Sequence, residues 1–461
     1  MSNDADTIVI GAGISGLTVA FGLAQRGRTV AILEAGPRAG GVIGTRRRDG
    51  ALYELGPNSA LDTTPRIDEL LRDLGLAQER RDANPVAATR YVVRRGKPVA
   101  LPTSPRAFLT TPAFTLGAKL RLLREPFVAR GPAGVEESVG AFVQRRLGSE
   151  FLDYAVDPFV AGIYGGDPER ISVSAAFPRL LALEQKYGSL IKGQILGARE
   201  RRRNQEAAKN AAASFSFRGG MQTLTDALAR ALAPIVYDVS AQRVARDPDG
   251  TFVVEGMRGG EPLVRRARAV VLCAPAQATA AMIREVAADA ATALAGIEYA
   301  PIAIVAGAYR RRDVAHSLAG FGFLVPKKEL RSILGCLFSS SMFDGRAADG
   351  TVLLTAFAGG RRNPEVASAS DADIASAVHD ELADLVGAAQ HPLWQEVVRR
   401  PQAIPQYDLG HLERLRSIDA AEAAIPGLYF CASYRGGVAV GDRVKCGHDM
   451  AEQVDAFLKG R

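Results

Sequence analysis

Residues 7–45 read TIVIGAGISGLTVAFGLAQRGRTVAILEAGPRAGGVIGT, and the fold is decided there. Thr7-Ile8-Val9-Ile10 is a short, unbroken apolar run, the pattern of a buried parallel strand. Gly11-Ala12-Gly13-Ile14-Ser15-Gly16 follows as a G-x-G-x-x-G turn. In such a turn Gly11 permits the tight bend, Gly13 lets a pyrophosphate reach the backbone, and Gly16 lets the next helix lie close on the strand. A helix is expected over about Gly13–Arg26, presenting its first N–H groups, at Ile14 and Ser15, to the phosphates. A second strand, Thr29–Leu33, runs into Glu34 and Ala35. The acid lies within the window of about 20 residues where a carboxylate accepts the ribose hydroxyls. Strand, turn, helix and acid together predict a bound dinucleotide, NAD or FAD.

Just beyond, Arg38-Ala39-Gly40-Gly41-Val42-Ile43-Gly44-Thr45 offers two adjacent glycines for a second close approach of backbone to cofactor. This run resembles the R-x-G-G-R-x-x-[ST] element of the flavin-containing amine oxidase superfamily, with Val42 where a second arginine is usual. The resemblance selects FAD and implies cofactor contacts at Arg38, Gly40, Gly41 and Val42. No S-G-G-C string is present, so the flavin is expected to be held non-covalently.

A chain of 461 residues exceeds one compact core and points to two or three domains. With 47% hydrophobic and 23% charged residues it has a globular profile. A net charge of +7 is mild for this length and suits an anionic substrate or an anionic membrane surface. No basic helix with interleaved aromatics and no zinc-type spacing occurs, which disfavours nucleic acid and leaves no metal site. Cys273, Cys336, Cys431 and Cys446 are scattered and read as reduced thiols of a cytoplasmic protein. The first strand begins within ten residues of Met1, leaving no room for a leader, and no apolar run approaches the 18 or so residues of a membrane span.

Tyr53-Glu54-Leu55-Gly56-Pro57-Asn58-Ser59 should turn tightly at Gly56, Pro57 and Asn58, with backbone aimed at a ligand. The string resembles a motif of the protoporphyrinogen oxidases, the FAD enzymes of late haem synthesis. Arg90-Tyr91-Val92-Val93-Arg94-Arg95-Gly96-Lys97-Pro98-Val99 predicts a hairpin rich in cations. Such a hairpin is either a charge-protected sheet edge or a carboxylate anchor. With Leu101-Pro102-Thr103 after it, it is similar to the family's segment whose first arginine, here Arg90, binds a propionate of the tetrapyrrole. Residues 105–130 mix Phe108, Leu109, Phe114, Leu116, Leu120, Leu122, Leu123 and Phe127 with Lys119, Arg121, Arg124 and Arg130, broken by prolines. The matching region of the family binds membranes, so this stretch is either an ordinary helical subdomain or a membrane-facing one. The glycine-rich run Val160–Ser172 is similar to another family string, which implies that Gly162 sits near the reacting methylene bridge. Residues 198–213, ARERRRNQEAAKNAAA, read as a solvated helix or excursion.

From Phe217 the chain is expected to re-enter the nucleotide domain. A strand near Ala241, a Pro248-Asp249-Gly250 turn, a strand from Thr251 and the buried run Ala269–Pro275 follow. In flavoproteins of this kind the strand near Ala241 contacts the adenine. Ile302–Ala306 and Thr351–Ala356 read as strands of a mixed sheet. Gly320–Pro326 resembles the family's G-F-G-x-L-V-P, which implies that Phe321 and Leu324 wall a flat macrocycle. Gln406–His411 resembles P-Q-Y-x-x-G-H, with His411 read as structural rather than as a base. Near the end, Gly436-Gly437-Val438-Ala439-Val440 opens a helix whose N–H groups can meet the flavin's pyrimidine edge. Here the glycine pair is one residue longer than the family run.

The expected fold is therefore α/β: a discontinuous Rossmann-like FAD-binding domain, a mixed-sheet substrate domain and a helical subdomain. The FAD-binding segments are 1–88, 215–285 and 406–461; the substrate segments are 89–104, 176–214 and 286–405; and 105–175 is helical with possible membrane binding. The resemblance implies oxidation of protoporphyrinogen IX to protoporphyrin IX, with FAD taking a hydride and molecular oxygen yielding peroxide. No residue is assigned as acid or base. The expected setting is the cytoplasm, peripheral on the inner face of the cell membrane, with hand-over of product to a chelatase. Coproporphyrinogen III oxidation is the sister reading. An amine oxidase or desaturase on the same scaffold is a further one, for which only Tyr434 offers an aromatic to flank the flavin. A non-enzymatic FAD-folded binding protein is the reading from another class.

Overall fold

The computed structural model describes residues 4–132, 134–203, 213–232 and 234–460. Ala5–Ile10 forms the central strand of a seven-stranded sheet, buried from Thr7 to Ile10 as an apolar run between two neighbours must be. It pairs in parallel with Val30–Leu33 on one side and with the end of Glu261–Leu272 on the other. Ile235–Val236 extends the first side, and Leu428–Phe430 runs parallel beside Val270–Leu272. The first half of Glu261–Leu272 pairs antiparallel with Phe252–Arg258, which pairs with Val239–Arg246. One sheet thus gathers strands from three separated stretches of the sequence. Alternation divides its core: Val9 faces the helices Ile14–Gln25 and Val440–Lys459, while Ile8 and Ile10 face Ala276–Ile283 and Ala288–Ala295. The first two helices lie against each other at Gly22, where a Cβ would stand 2.7 Å from that of Ala451.

The second sheet has the order Trp394–Pro405, Tyr299–Arg310, Thr351–Gly359, Ile333–Leu337, Gly322–Leu324, Arg90–Arg94, Lys97–Ala100. It is mixed: Gly322–Leu324 runs parallel to Arg90–Arg94 and the other pairings are antiparallel. Its outer face packs on the helix Asp371–Val386 through Val305, Leu354 and Leu382. Its inner face turns Ala306, Ala308 and Leu353 onto Ala51, Tyr53 and Leu55 of the nucleotide unit. A buried ion pair crosses between the two units: Arg346 Nη1 lies 3.1 Å from Glu54 Oε1, which also accepts from the backbone N–H of Met221.

Residues 105–203 are helical. Ser104, Thr115, Ser138 and Ser172 each cap a helix by accepting from a backbone N–H three residues on. Arg146, fully buried, lies between Glu125 at 3.3 Å and Glu184 at 2.6 Å. Glu125 accepts from Ser189 and from the N–H groups of Leu190 and Ile191. The stretch 176–214, expected as part of the substrate domain, departs from that expectation. It continues as Pro178–Tyr187 and Leu190–Arg203 and packs on the helical cluster through Leu180, Leu183 and Leu190. Residues 204–212 of the charged run lie outside the described residues. Among the described residues no helix is long and apolar enough to cross a membrane.

Candidate cofactor and substrate site

The first glycine turn does what its residue types demand. Gly11 has φ +104°, a conformation that costs only glycine nothing. A Cβ on Gly16 would sit 1.9 Å from the Gly11 carbonyl oxygen, so that position must be bare for the helix to meet the strand. A Cβ on Gly13 would meet nothing within 4 Å. Gly13 is the N-cap of the helix and, having no side chain, leaves the N–H groups behind it uncapped beside that open space. The isolated bridge between Gly13 and Gly40, with Gly40 N–H donating to Ala12 at 2.8 Å, brings the second glycine loop alongside. Gly41 approaches so closely that its Cβ would lie 3.3 Å from the Gly13 Cα.

Glu34 closes the edge of this cradle. Its carboxylate accepts from Ala12 N–H at 2.6 Å and from Gly36 N–H at 2.8 Å, which aims it at the turn and leaves lone pairs for hydroxyls. Ala35 and Val42 are exposed beside it. Arg38 folds back on its own loop, donating to the carbonyls of Ala39, Ile43 and Gly41, so its visible work is to hold the loop's shape. Ala241 lies at a bulge against Gly256, two residues after Val239, whose N–H donates to the Glu34 carbonyl at 2.9 Å. Gly56 stacks on the same loop, where a Cβ would be 2.2 Å from the Val42 carbonyl. Asn58 follows Pro57, and its amide Nδ2 is buried without a partner. At the far end Val438 and Ala439 lead into the helix at Val440, again with no side-chain cap. A floor of bare glycine, a carboxylate, an orphaned amide donor and two uncapped helix ends fit the phosphates, ribose and carbonyl edge of FAD.

The inner face of the second sheet continues from this floor. Thr355 bonds Ser339 at 2.8 Å, and Ser339 reaches Asn58. Arg90 pairs with Gly322 across the parallel strands, and its guanidinium lies 5.3 Å from the centroid of Phe321. That guanidinium is exposed and has no hydrogen bond or ion pair to any described residue. Phe321 rests on Met342, Phe343 and Leu337. Leu324, half-buried, meets Gly162 of the helix Asp157–Tyr164, where a Cβ would come within 2.7 Å of its side chain. The close approach that Gly162 permits is here an approach to Leu324.

Other groups near the closing loop are structural. His411 is pushed down to about 4 by burial, donates from Nε2 to the Tyr434 carbonyl at 2.9 Å, and stacks on Tyr407. Tyr407 donates to the Ser433 carbonyl and accepts from Gly437 N–H. Gly436 and Gly437 have φ +76° and +106°, which explains the glycine pair there. Tyr434 is fully buried in the nucleotide core, so it flanks no open site and does not supply the aromatic wall that the amine reading requires. Arg443, also buried, binds the carbonyls of Ala432 and Arg435 and shapes the same turn. Its partners lie 8 and 11 residues back in the same turn, whereas the Glu54–Arg346 pair joins residues 292 apart and has no local sequence signal.

Residues 14–454 match the family model described as flavin containing amine oxidoreductase. The mitochondrial protoporphyrinogen oxidase of Nicotiana tabacum is 33% identical over 98% of this chain and 95% of its own. The coproporphyrinogen III oxidase of Bacillus subtilis (strain 168) is 27% identical, covering 98% of each. A crystal structure of a protein from Exiguobacterium sp. 255-15 superposes with TM-score 0.81 at 22% identity, over 99% of this chain and 100% of that one.

Proposed function

Because the chain belongs to the flavin containing amine oxidoreductase family and is an FAD-dependent oxidoreductase, we propose that it oxidises a porphyrinogen in haem biosynthesis, with protoporphyrinogen IX as substrate and protoporphyrin IX as product. The observation that carries the substrate is Arg90: an unpaired guanidinium at the rim of an apolar sheet face that abuts the cofactor floor. A guanidinium presents two parallel donors to a carboxylate, so Arg90 holds one propionate and fixes the macrocycle's register. Phe321 and Leu324 wall the ring, and Gly162 keeps the helix beside it close. When bound, FAD would supply the acceptor for a hydride in each of the three two-electron oxidations that separate porphyrinogen from porphyrin, with one molecular oxygen reduced to peroxide for each. The chain's contribution is position and exclusion of water; no side chain here is assigned to take the proton.

Relatives named for protoporphyrinogen match this chain at higher identity than those named for coproporphyrinogen, which favours the former; the Bacillus subtilis likeness keeps coproporphyrinogen III as the second reading. Coproporphyrinogen carries two further carboxylates, so relative kcat/KM on the two porphyrinogens separates the readings. Replacing Arg90 by Ala should lower kcat/KM for protoporphyrinogen about 10- to 100-fold, mostly through KM, with the flavin spectrum unchanged. An unchanged KM removes Arg90 from the substrate site.

We also propose that the helical segment rests on a membrane surface. Leu109, Leu116, Leu123 and Phe127 are largely exposed, Phe127 at 86%, among Lys119, Arg124 and Lys192. Flotation with vesicles of anionic lipid should be lost in Leu116→Glu/Phe127→Glu, and flotation of that variant at the unaltered level would refute the contact. Hand-over of the product to a chelatase at that surface belongs to the same proposal.

A further inference from the structure

Arg400 stands on the inner face of the second sheet, paired with Ile302, where Ile302 and Val398 also point. Its Nη2 donates to the Leu55 carbonyl at 3.1 Å, immediately before the Gly56-Pro57-Asn58 turn. Leu55 in turn donates to the Gly44 carbonyl of the second glycine loop. The Nε of Arg400 is buried with no partner, and among the described residues no carboxylate lies within ion-pair distance of its guanidinium. The acid on its own strand, Glu396, is occupied by Arg46 and the Tyr53 hydroxyl. Two further guanidiniums, Arg38 and Arg46, are close enough to act on it electrostatically. Arg38 is spent on the carbonyls of its own loop. A half-buried cation among cations, with an unfilled donor, needs an anion from outside the chain.

We propose that Arg400 supplies a positive charge to the bound FAD, reaching from the substrate sheet to the loop in which Val42 provides none. This rests on the cofactor lying along the two glycine loops, and it adds a binding residue from the other half of the molecule. Arg90 is too distant to serve the same anion, since its strand is five strand spacings away, about 24 Å at about 4.8 Å per strand. Burial, then the like charges of Arg38 and Arg46, pull the Arg400 guanidinium below its ordinary value, and a bound anion would relieve that. The anionic groups of FAD are its pyrophosphate at all times and its ring when reduced, and either meets the need.

The test uses the holoenzyme with Arg400→Gln, which keeps a donor for the Leu55 carbonyl and removes the charge, beside Arg400→Lys, which keeps the charge. Arg399→Gln is the control, since Arg399 faces the other side and pairs with Asp371 at 2.6 Å. FAD release on dilution, followed by flavin fluorescence at low and high salt, and the flavin midpoint potential are read for each. If the charge meets the pyrophosphate, R400Q weakens FAD binding about tenfold or more and flattens its salt dependence, with R400K between. If it meets the ring, R400Q leaves release unchanged and lowers the potential. R400Q with release and potential both unaltered overturns the assignment. Gly13→Val, measured alongside, separates the premises: if it sheds FAD while R400Q does nothing, the groove stands and Arg400 is wrong. If Gly13→Val also holds FAD as before, the groove and this inference fall together.

Discussion

Two sets of helix N-termini differ in one atom-level respect. Those at Ser104, Thr115, Ser138 and Ser172 are closed by a hydroxyl on the backbone N–H groups. Those at Gly13 and Ala439 are left without a side-chain cap. In the first set each hydroxyl accepts from one otherwise orphaned N–H, within the scaffold around buried Arg146. The second leaves donors open at the floor where a phosphate or a carbonyl edge can complete them. A hydroxyl closes the first turn of these four helices, and none does so at the two helix ends beside the glycine loops, where FAD can supply the missing acceptors.

The largest effect should come from confusing the two uses of glycine in the first turn. Gly16→Val places a side chain onto the Gly11 carbonyl and should cost more than about 4 kcal/mol, read as loss of the folded fraction in urea unfolding. Gly13→Ala meets open space, so it should fold with a melting temperature close to the parent's while holding FAD more weakly. Equal stabilities would show that Gly16 does not press on the Gly11 carbonyl, and unweakened FAD binding in Gly13→Ala would show that the groove is not where the geometry puts it.

In the capped region the sensitive atom is a charge. Arg146→Met leaves fully buried Glu125 with neutral donors only and Glu184 with Arg145 as its one remaining cation among the described residues, and should destabilise the helical cluster by about 3 kcal/mol, measured by thermal unfolding. The same network sets a pH dependence. Burial alone would raise Glu184, but hydrogen bonding from Arg145 and the charge of Arg146 outweigh it and hold the carboxyl below its ordinary range. A depressed carboxylate contributes stability above its unfolded pKa and loses it as pH falls through the folded one. Acid should therefore loosen the 105–203 helices as pH drops below the ordinary glutamate range, with exchange of their amides rising there. In Arg146→Met that loss should begin at higher pH.

How much of this the sequence displays depends on the range of the interaction. Gly11, Gly13, Gly16 and Glu34 are legible because their partners lie within one βαβ unit, and the structure gives each glycine its separate duty. Arg90, Phe321 and Leu324 are reached through family resemblance, and the structure brings Arg90 to Phe321 and Leu324 to Gly162. The Glu54–Arg346 pair joins residues 292 apart, and Arg400 meets Leu55 across 345 positions, separations at which no local pattern speaks. The placement of the helices at 178–203 escapes a local reading because their support comes from Glu184 and Leu190 packing on residues far away in the chain.

The smallest expected effects sharpen the opening contrast. Ser138→Ala should cost about 1 kcal/mol and leave FAD untouched. Ala439→Ser does the reverse: a hydroxyl placed at an extended N-cap would close that helix, stabilise FAD-free protein by about 1 kcal/mol and weaken FAD binding correspondingly. No change in FAD affinity would mean that this helix end does not face the cofactor.

The most direct measurement mixes the yellow holoenzyme with protoporphyrinogen IX in the absence of oxygen and follows flavin absorbance and porphyrin fluorescence together. The account predicts bleaching of the flavin in step with the appearance of porphyrin, and recovery of the yellow form when oxygen is admitted. A flavin that stays oxidised in the presence of the porphyrinogen would contradict it.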